Sequence, residues 1–246
     1  MAAAPRTPHD GDAVAVGDSQ TGLGAHLDDL YANRFPTPDR LQKTRLWQTL
    51  CAAFFSRYVS PGDTVLDVGA GYCDFINHVN ARRRIAVDLN PDTRRHAAPD
   101  VEVLSLDLES LHTRIAPASV DLAFASNVFE HLRSPDALLA VLQSIATVLK
   151  PMGRLVILQP NIRHVGAAFW DFFDHTLPLT EKGMAEAVRV AGFQLREVRS
   201  RFLPYTTKSL LPQWSWLVRA YLIVRPAQWL LGKQMLVVAQ KPASSA

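Results

Sequence analysis

The stretch Thr64-Val65-Leu66-Asp67-Val68-Gly69-Ala70-Gly71-Tyr72-Cys73-Asp74-Phe75 runs from an apolar segment into a Gly-x-Gly turn. Its first five residues form a short, mostly aliphatic run, which is typical of a buried strand. Gly69 and Gly71 permit a tight turn and the close approach of a ligand. We expect a helix to follow, with free N–H groups that favour an anionic group. Such turns also occur for purely structural reasons, so the surrounding sequence must decide the role of this one.

The rest of the chain alternates between apolar runs and helical or tightly connecting segments. The apolar runs predict seven strands, at Thr64–Val68, Arg84–Asp88, Val101–Leu106, Val120–Ala125, Arg154–Gln159, Phe193–Arg199 and Gln234–Gln240. Alternation of this kind predicts an α/β fold built on a parallel sheet.

Two helices carry clear start and stop signals. Ser134 is the predicted cap of a helix from Pro135 to about Leu149, with proline at the first helical position. Thr180 is the predicted cap of a second helix, from Glu181 to about Val190, which Gly192 ends. Both helices lie between predicted strands, as the α/β interpretation requires.

Length and composition favour one folded core with additions at its N-terminal side. With 246 residues, 48% of them hydrophobic, the chain can bury one substantial core. Residues 1–25 lack hydrophobic periodicity and are predicted to form a flexible tail. A helical cover is predicted at 26–62, because large apolar residues recur at helical spacing from Pro38 to about Tyr58. The core domain then spans 63–246, with an insertion at about 202–232.

Charge and cysteine content restrict the class of protein. The formal net charge is +3, and no acidic residue follows Glu197, so the C-terminal part is basic. Cys51 and Cys73 are the only cysteines, which predicts neither a disulfide framework nor a zinc cluster, and we assign no metal ligands. The polar N-terminal segment offers no apolar stretch that could act as an export signal. We therefore expect a cytoplasmic protein.

An acidic residue at the end of the second strand indicates what the turn binds. Asp88 lies close to the spacing at which a carboxylate accepts hydrogen bonds from both hydroxyls of a ribose. Alone it could merely start the turn Leu89-Asn90-Pro91, but with the glycines it predicts an adenosine-containing cofactor. Asp74 stands where a dinucleotide-binding turn needs Gly or Ala, and a carboxylate fits poorly beside pyrophosphate. The pattern favours S-adenosylmethionine, which carries a sulfonium and no phosphate.

Several segments together resemble the class I S-adenosylmethionine-dependent methyltransferases, in particular the small-molecule, type 11-like members. The resemblance runs from about Asp63 to Lys241 and rests on Asp67-Val68-Gly69-Ala70-Gly71, Val87-Asp88, Leu106-Asp107-Leu108, Ser126-Asn127-Val128-Phe129-Glu130-His131-Leu132 and Leu149-Lys150-Pro151-Met152-Gly153-Arg154-Leu155-Val156-Ile157. Met152 and Cys73 stand where the family commonly has glycine. The resemblance implies a Rossmann-like, doubly wound α/β sheet of seven mostly parallel strands with an antiparallel last strand.

The resemblance also implies a cofactor site. It places Asp67, Gly69 and Gly71 at the methionine end, Asp88 on the ribose with Leu89 beside it, Asp107 and Leu108 at the adenine, and Ser126 and Asn127 beside the transferable methyl group. Two of these assignments have a structural alternative. Asp107 could cap a short helix, and the Ser126-Asn127 pair could simply turn the chain.

Two histidines are the candidate catalytic residues. In-line methyl transfer depends mainly on orientation and proximity, so a base is needed only where the acceptor must lose a proton. His131 follows the fourth strand and His175 follows the fifth, both at the sheet edge where open α/β folds bind ligands. Glu130 is a third candidate. Each histidine has a structural alternative: His131 could start a helix, and His175 could belong to an aromatic plug.

The segment after the fourth strand also bears on the acceptor. It reads Ser126-Asn127-Val128-Phe129 and lacks the Asn/Asp-Pro-Pro-aromatic signature of methyltransferases that act on bases or on glutamine. The resemblance therefore favours a small-molecule, sugar or lipid-linked acceptor and disfavours nucleic acid as a partner. Two alternatives stay open: an oxidoreductase of the NAD(P)-binding type, for which a substrate domain is missing, and a non-catalytic cofactor-binding partner subunit. The oligomeric state is not predicted.

The segment Phe202–Gly232 combines many aromatic and aliphatic side chains with Lys208, Arg219 and Arg225, and has no acidic residue. Such a mixture suits a membrane interface. Charged residues and Pro226 interrupt a stretch already short of the roughly 20 apolar residues that a transmembrane helix needs. Peripheral contact with an anionic membrane, or capture of a lipid-linked acceptor, is one interpretation. The other is a helical cover whose aromatic residues pack on the sheet.

Overall fold

The computed structural model describes residues 37–205 and 214–243, with side chains from Leu41 onward. The predicted tail 1–25, the first part of the predicted cover and residues 206–213 of the insertion lie outside the described residues. The described strands form one seven-stranded sheet. They are β1 Thr64–Val68, β2 Arg83–Val87, β3 Val101–Leu104, β4 Val120–Ser126, β5 Leu149–Pro160, β6 Gln194–Arg199 and β7 Gln234–Gln240.

The strand order is β3-β2-β1-β4-β5-β7-β6. Strands β1 to β5 pair in parallel, whereas β7 pairs antiparallel with both β5 and β6. The chain winds outward from β1 in one direction and, after β3, returns to β4 and continues in the other. This confirms the predicted doubly wound, mostly parallel sheet with an antiparallel last strand. The parallel strands all end at one edge, which we call the carboxyl edge.

The helices are α1 Thr37–Ala53, α2 Thr93–His96, α3 Pro135–Val148, α4 Ile162–Val165, α5 Glu181–Val190, α6 Ser215–Ile223 and α7 Arg225–Leu231. The predicted caps are confirmed. The Ser134 hydroxyl accepts a hydrogen bond from the N–H of Ala137 at 3.2 Å, and the Thr180 hydroxyl accepts one from Gly183 at 3.1 Å. Single 3₁₀ segments supply most other connections, at Phe55–Arg57, Ile76–His78, Leu108–Thr113, Phe129–His131 and Gly166–Asp171.

The core lies on both faces of the sheet, because successive side chains of a strand point to opposite faces. Leu66 and Val68 belong to the cluster that includes the buried side chains of α3 and α5. Val65 belongs to the opposite cluster, which α1 covers. There Trp47 packs against the ring of Phe124, with a centroid distance of 6.0 Å. The predicted helix from Pro38 therefore covers one face of the sheet, although it ends at Ala53 and continues only as a 3₁₀ segment.

The segment after the Gly-x-Gly turn differs from the prediction. Within the described residues the chain forms only a 3₁₀ segment at Ile76–His78, where an α-helix was expected. The cause is the backbone of the turn, since Gly69, Gly71 and Cys73 have φ of 71°, 49° and 60°. Left-handed residues interrupt a right-handed helix. The prediction of a helix with anion-binding N–H groups at this point was therefore wrong.

The predicted insertion contains α6 and α7 within its described part. In these two helices the buried side chains are Leu222 and Gln228, whereas Trp214, Trp216 and Trp229 are exposed. The interpretation in which the aromatic residues of this segment pack on the sheet is therefore wrong for these three tryptophans. Their position outside the core leaves three large aromatic side chains exposed, of which Trp214 and Trp216 are in contact with each other. We call these three side chains the exposed aromatic surface of the insertion.

Candidate active site

The Gly-x-Gly turn lies at the carboxyl edge, beside the ends of β2 and β4. The N–H groups of Gly69 and Ala70 donate to the carbonyl of Val87 at 2.9 and 3.1 Å, which ties the turn to β2. A Cβ atom on Gly69 would lie 2.3 Å from Cγ2 of Val128, a residue that follows β4. The position therefore admits no side chain, and the turn touches the segment predicted to lie beside the methyl group.

Asp88 links the turn to the predicted ribose position. Its Oδ2 accepts a hydrogen bond from the N–H of Gly71 at 2.7 Å, and its Oδ1 accepts one from Asn90 at 2.8 Å. Burial raises the pKa of the Asp88 carboxyl, against the opposing effect of these two donors and of His131. Each carboxylate oxygen can accept more than one hydrogen bond, so both can also accept from a ribose hydroxyl. Leu89, the next residue, is exposed.

Asp67 is enclosed beneath the turn. Burial, followed by the negative charge of Asp88, raises the pKa of the Asp67 carboxyl well above its ordinary value. The backbone N–H of Ile76 donates a hydrogen bond to this carboxyl, so Asp67 also orders the chain that follows the turn. The structure thus brings Asp67, both glycines and Asp88 together, and their contacts with a cofactor stay predictions.

The two residues predicted to flank the adenine occupy the next connection. The Asp107 carboxyl accepts a hydrogen bond from the N–H of Glu109 at 3.0 Å and caps the 3₁₀ segment Leu108–Thr113. The capping alternative is therefore confirmed. Asp107 is exposed and Leu108 is partly buried against the core. Neither observation tests the adenine assignment, which stays a prediction.

The pair predicted to lie beside the methyl group also turns the chain. Asn127 has a φ of 50°, and its N–H donates to the carbonyl of Leu158 at 2.9 Å. The Asn127 side-chain amide donates to the Ser126 hydroxyl at 3.3 Å. This left-handed residue directs the chain from β4 into the 3₁₀ segment that carries Glu130 and His131. Asn127 is exposed at the carboxyl edge, and Ser126 is partly so.

The two candidate catalytic histidines are in contact. The rings of His131 and His175 have a centroid distance of 5.0 Å and are inclined at 72°. Nδ1 of His131 lies 3.1 Å from Oδ2 of Asp174. Burial lowers the pKa of His131, but Asp174 and then Glu130 act in the opposite direction, and the pKa is raised. A carboxylate that orients an imidazole in this way is a common feature of general bases.

His175 is packed among aromatic rings. Its ring stacks on Phe172 with a centroid distance of 4.8 Å and lies 4.7 Å from the centroid of Phe169. The N–H groups of Thr176 and Leu177 both donate to the carbonyl of Glu130, at 2.8 and 3.0 Å. The aromatic plug considered as the structural alternative is therefore present, and it holds His175 against the segment that carries His131.

Gln159, which the sequence interpretation missed, contacts the segment that carries Glu130 and His131. It lies near the end of β5, where its side-chain amide donates to the carboxyl of Glu130 and its Oε1 accepts from the N–H of Val128 at 3.3 Å. The available signal was a polar residue near the end of an otherwise apolar strand, at the edge where ligands bind. Glu130 is 2% exposed, and burial raises its pKa.

The cluster also contains a set of metal-ligating side chains that the sequence prediction did not assign. Glu130, His131 and His175 each offer one ligand atom, and these atoms lie within 4.8 Å of one another. We call the three residues, together with Asp174, the carboxylate–histidine cluster.

The charges around the turn fit a cationic cofactor. The carboxyls of Asp67, Asp74 and Asp88 lie close enough for Asp74 and Asp88 to raise the pKa of Asp67. Nζ of Lys43 lies 2.8 Å from Oδ2 of Asp74, with which it forms an ion pair. Carboxyl groups beside the turn favour a sulfonium and an α-amino group over a pyrophosphate, even though Lys43 offsets the charge of Asp74 and burial disfavours the charged form of Asp67. The turn therefore suits S-adenosylmethionine better than a dinucleotide.

Comparison with known proteins agrees with this geometry. Residues 66–157 match the family model described as "Methyltransferase domain". No curated protein sequence matches the chain. The chain resembles solved structures at low sequence identity, which supports the fold alone.

Three of these solved structures illustrate the similarity. A methyltransferase in complex with the Trm112 methyltransferase activator of Haloferax volcanii is 22% identical, with a TM-score of 0.63 over 87% of this chain and 97% of that one. A SAM-dependent methyltransferase of Archaeoglobus fulgidus is 20% identical, with a TM-score of 0.61 over 87% of this chain and 100% of that one. A Thermotoga maritima SAM-dependent methyltransferase, described as a possible histamine N-methyltransferase, is 15% identical, with a TM-score of 0.62 over 89% and 97% of the two chains.

The matched residues include the Gly-x-Gly turn, Asp88 and the segment that follows β4. These are the parts that the geometry brings together at the carboxyl edge, with charges suited to a sulfonium. The match supports methyl transfer and favours it over the oxidoreductase alternative. Residues 66–157 form a methyltransferase domain of the class I, S-adenosylmethionine-dependent type, within a Rossmann-like fold.

Proposed function

We propose that the enzyme methylates a lipid-linked acceptor, which it reaches at the surface of an anionic membrane. S-Adenosylmethionine supplies an electrophilic methyl group when it is bound. On this proposal Asp88 and the glycine turn hold the cofactor, and the carboxylate–histidine cluster borders the acceptor. The exposed aromatic surface of the insertion is the observation that supports a lipid-linked acceptor most directly.

The sheet topology puts the insertion beside the active site. Gln234, at the start of β7, pairs with Pro160 at the end of β5, so β7 begins at the carboxyl edge. Because β6 runs antiparallel to β7, it ends at the same edge, with Arg199 opposite Leu236. The chain between β6 and β7 therefore leaves and returns on the side that carries the turn and the cluster.

The insertion exposes an unusual amount of aromatic surface. Trp214, Trp216 and Trp229 expose 60%, 63% and 72% of their surface. Large exposed apolar patches commonly mark interaction sites, and tryptophan favours the headgroup region of a bilayer. Arg219 and Arg225 are exposed on the same two helices, and the chain has no acidic residue after Glu197. Aromatic surface combined with positive charge suits anionic lipid.

Further aromatic residues lie beside the cluster. Phe172, which stacks on His175, also meets the ring of Tyr205 at the start of the insertion, with a centroid distance of 5.9 Å. The adjacent Phe173 is 78% exposed, and Trp170 in the same loop is also exposed. No helix in the described ranges has the length and apolar character needed to cross a bilayer. Peripheral attachment is therefore the mode of contact that we propose.

The acceptor class can be tested by following the methyl group. Purified enzyme is incubated with methyl-labelled S-adenosylmethionine and either a total membrane lipid extract or the matching water-soluble extract. We expect label in the organic phase, and no label with the Asp88→Ala variant. Label that appears only in water-soluble products would contradict a lipid-linked acceptor while leaving the methyltransferase assignment intact.

Membrane contact has its own test. In liposome flotation at low salt, we expect the wild-type enzyme to float with vesicles that contain anionic lipid. The double variant Trp214→Ala/Trp216→Ala should float about tenfold less, since two interfacial anchors are removed. Val190→Ala, which removes an exposed apolar side chain from α5, is the matched control and should float normally. Wild-type enzyme that stays wholly unbound would refute the membrane contact.

A further inference from the structure

The carboxylate–histidine cluster places two carboxyl groups in a buried position. Glu130 and Asp174 are 2% and 7% exposed. Buried carboxylates are costly unless a cation compensates them. A divalent cation held by Glu130 and the two histidine rings would supply such compensation for the Glu130 carboxylate.

The side chains also have the chemistry and proximity of a metal site. Two imidazoles and one carboxylate are a frequent ligand set for Zn²⁺ and for Fe²⁺, with coordination positions left open. The three ligand atoms lie within 4.8 Å of one another. Bond lengths of about 2.0–2.2 Å require ligand atoms roughly 3–3.5 Å apart, so modest side-chain rotation would close the site.

The surrounding contacts hold these ligands in place. Two backbone hydrogen bonds to the Glu130 carbonyl, from Thr176 and Leu177, fasten the loop of His175 to the segment of His131. Asp174 contacts Nδ1 of His131 at 3.1 Å, and Gln159 donates to the Glu130 carboxyl. Carboxylates and amides that orient the ligands of a metal are characteristic of metal sites in proteins. The cluster is therefore ordered by contacts outside the ligand set.

We propose that Glu130, His131 and His175 bind one divalent transition metal ion, which coordinates the acceptor oxygen. This role in the reaction rests on the proposed function, whereas metal binding itself does not. Coordination lowers the pKa of a hydroxyl. The acceptor O–H proton leaves to solvent, and the oxygen lone pair forms the new O–CH₃ bond. The C–S bond breaks, and its electron pair returns to sulfur, which gives the methyl ether and S-adenosylhomocysteine.

Metal binding can be measured without knowing the acceptor. Chelator-treated enzyme is titrated with Zn²⁺ and Mn²⁺ by calorimetry, and with Co²⁺ by visible absorption, which reports the ligand geometry. We expect one ion per chain. Glu130→Gln, His131→Ala and His175→Ala should each weaken binding by at least about tenfold. His164→Ala is the control, because His164 contacts Ser200 at 2.7 Å and is not among the proposed ligands.

The possible results separate this proposal from the proposed function. Thermal unfolding with S-adenosylmethionine identifies any variant that fails to fold. Glu130→Gln keeps an acceptor for the Gln159 amide, so it is the variant with the least effect on packing. Wild-type binding weaker than about 100 μM, or binding that none of the three substitutions changes, would overturn the metal site. Unchanged lipid methylation in EDTA would overturn its role in the reaction, but not the lipid-linked acceptor.

Discussion

Replacement of Asp88 by alanine tests the cofactor site most directly, because this carboxylate meets both the turn and the predicted ribose position. Oδ2 and Oδ1 of Asp88 accept hydrogen bonds from the N–H groups of Gly71 and Asn90 at 2.7 and 2.8 Å. With cofactor bound, we predict that the same oxygens also accept hydrogen bonds from the ribose hydroxyls. Asp88→Ala therefore removes two kinds of contact, which different measurements report.

The loss of affinity follows from the hydrogen bonds to the cofactor. Removal of a charge-assisted pair costs roughly 1.5–3 kcal/mol, which raises Kd about 10- to 150-fold. The loss of stability follows from the backbone. A buried N–H left without an acceptor costs about 1–3 kcal/mol. Release of a carboxyl whose pKa is raised by burial offsets part of this cost. We expect a lower melting temperature, by roughly 2–4 °C for each kcal/mol.

Isothermal calorimetry with S-adenosylmethionine and thermal unfolding separate the two effects. Asp92→Ala is the matched control in the same connection, since Asp92 pairs with Arg95 at 2.6 Å at the surface. Loss of an exposed pair of this kind changes stability by less than about 1 kcal/mol. A folded Asp88→Ala enzyme whose Kd stays within about twofold of wild type would refute the ribose assignment.

Three further predictions concern the two glycines of the turn and Glu197 of β6. Gly69→Ala should lower the free energy of unfolding by about 2–4 kcal/mol in urea titration. Gly69 has a left-handed φ, and the added Cβ would lie 2.3 Å from Val128. A second substitution, Val128→Ala, should restore part of the lost stability. Gly71→Val should abolish binding of S-adenosylmethionine in calorimetry while the far-ultraviolet spectrum stays native; normal affinity would contradict the turn assignment. Burial raises the pKa of Glu197, but hydrogen bonds from Arg199 and Tyr58 outweigh it, and the pKa is lowered. The Glu197 carboxylate therefore stabilises the fold at neutral pH, and this stabilisation should be lost as the pH falls below about 4.3. The melting temperatures of wild type and Glu197→Gln should then converge.

The sheet could be predicted closely because each strand is a short apolar run between polar connections. β1 and β7 have the predicted bounds, and β2, β3, β4 and β6 differ by one or two residues at their ends. The prediction for β5 was wrong at its start, because the strand begins at Leu149, five residues before the predicted Arg154. Helices with a side-chain cap were also predictable, as the Ser134 and Thr180 caps illustrate. These features depend on residues that are near neighbours in sequence, so composition and spacing carry the information.

The features that were missed depend on backbone conformation and on contacts between distant segments. Cys73 adopts a left-handed conformation in a stretch whose composition suits a helix, and the available signal was that Cys73 stands where the family commonly has glycine. Gln159 of β5 meets Glu130 of the segment after β4, and the three proposed metal ligands come from two separate connections. Glycine and aspartate positions at the turn were predictable because the motif is local. The arrangement of the acceptor side was not, because it is formed by tertiary packing.

The return of the insertion to the edge from which it departs has a consequence for how this enzyme could diversify. Changes in the exposed part of this segment, away from the buried Phe202, Leu203 and Leu222, leave the hydrogen-bonded ladder intact, since β6 and β7 pair along Gln194–Arg199 and Leu236–Gln240. On the proposed function, this exposed surface contacts the acceptor, while the cofactor turn lies on the other side of β4. Acceptor preference could then be redesigned by exchange of exposed residues of the segment, without change to the methyl-donor site.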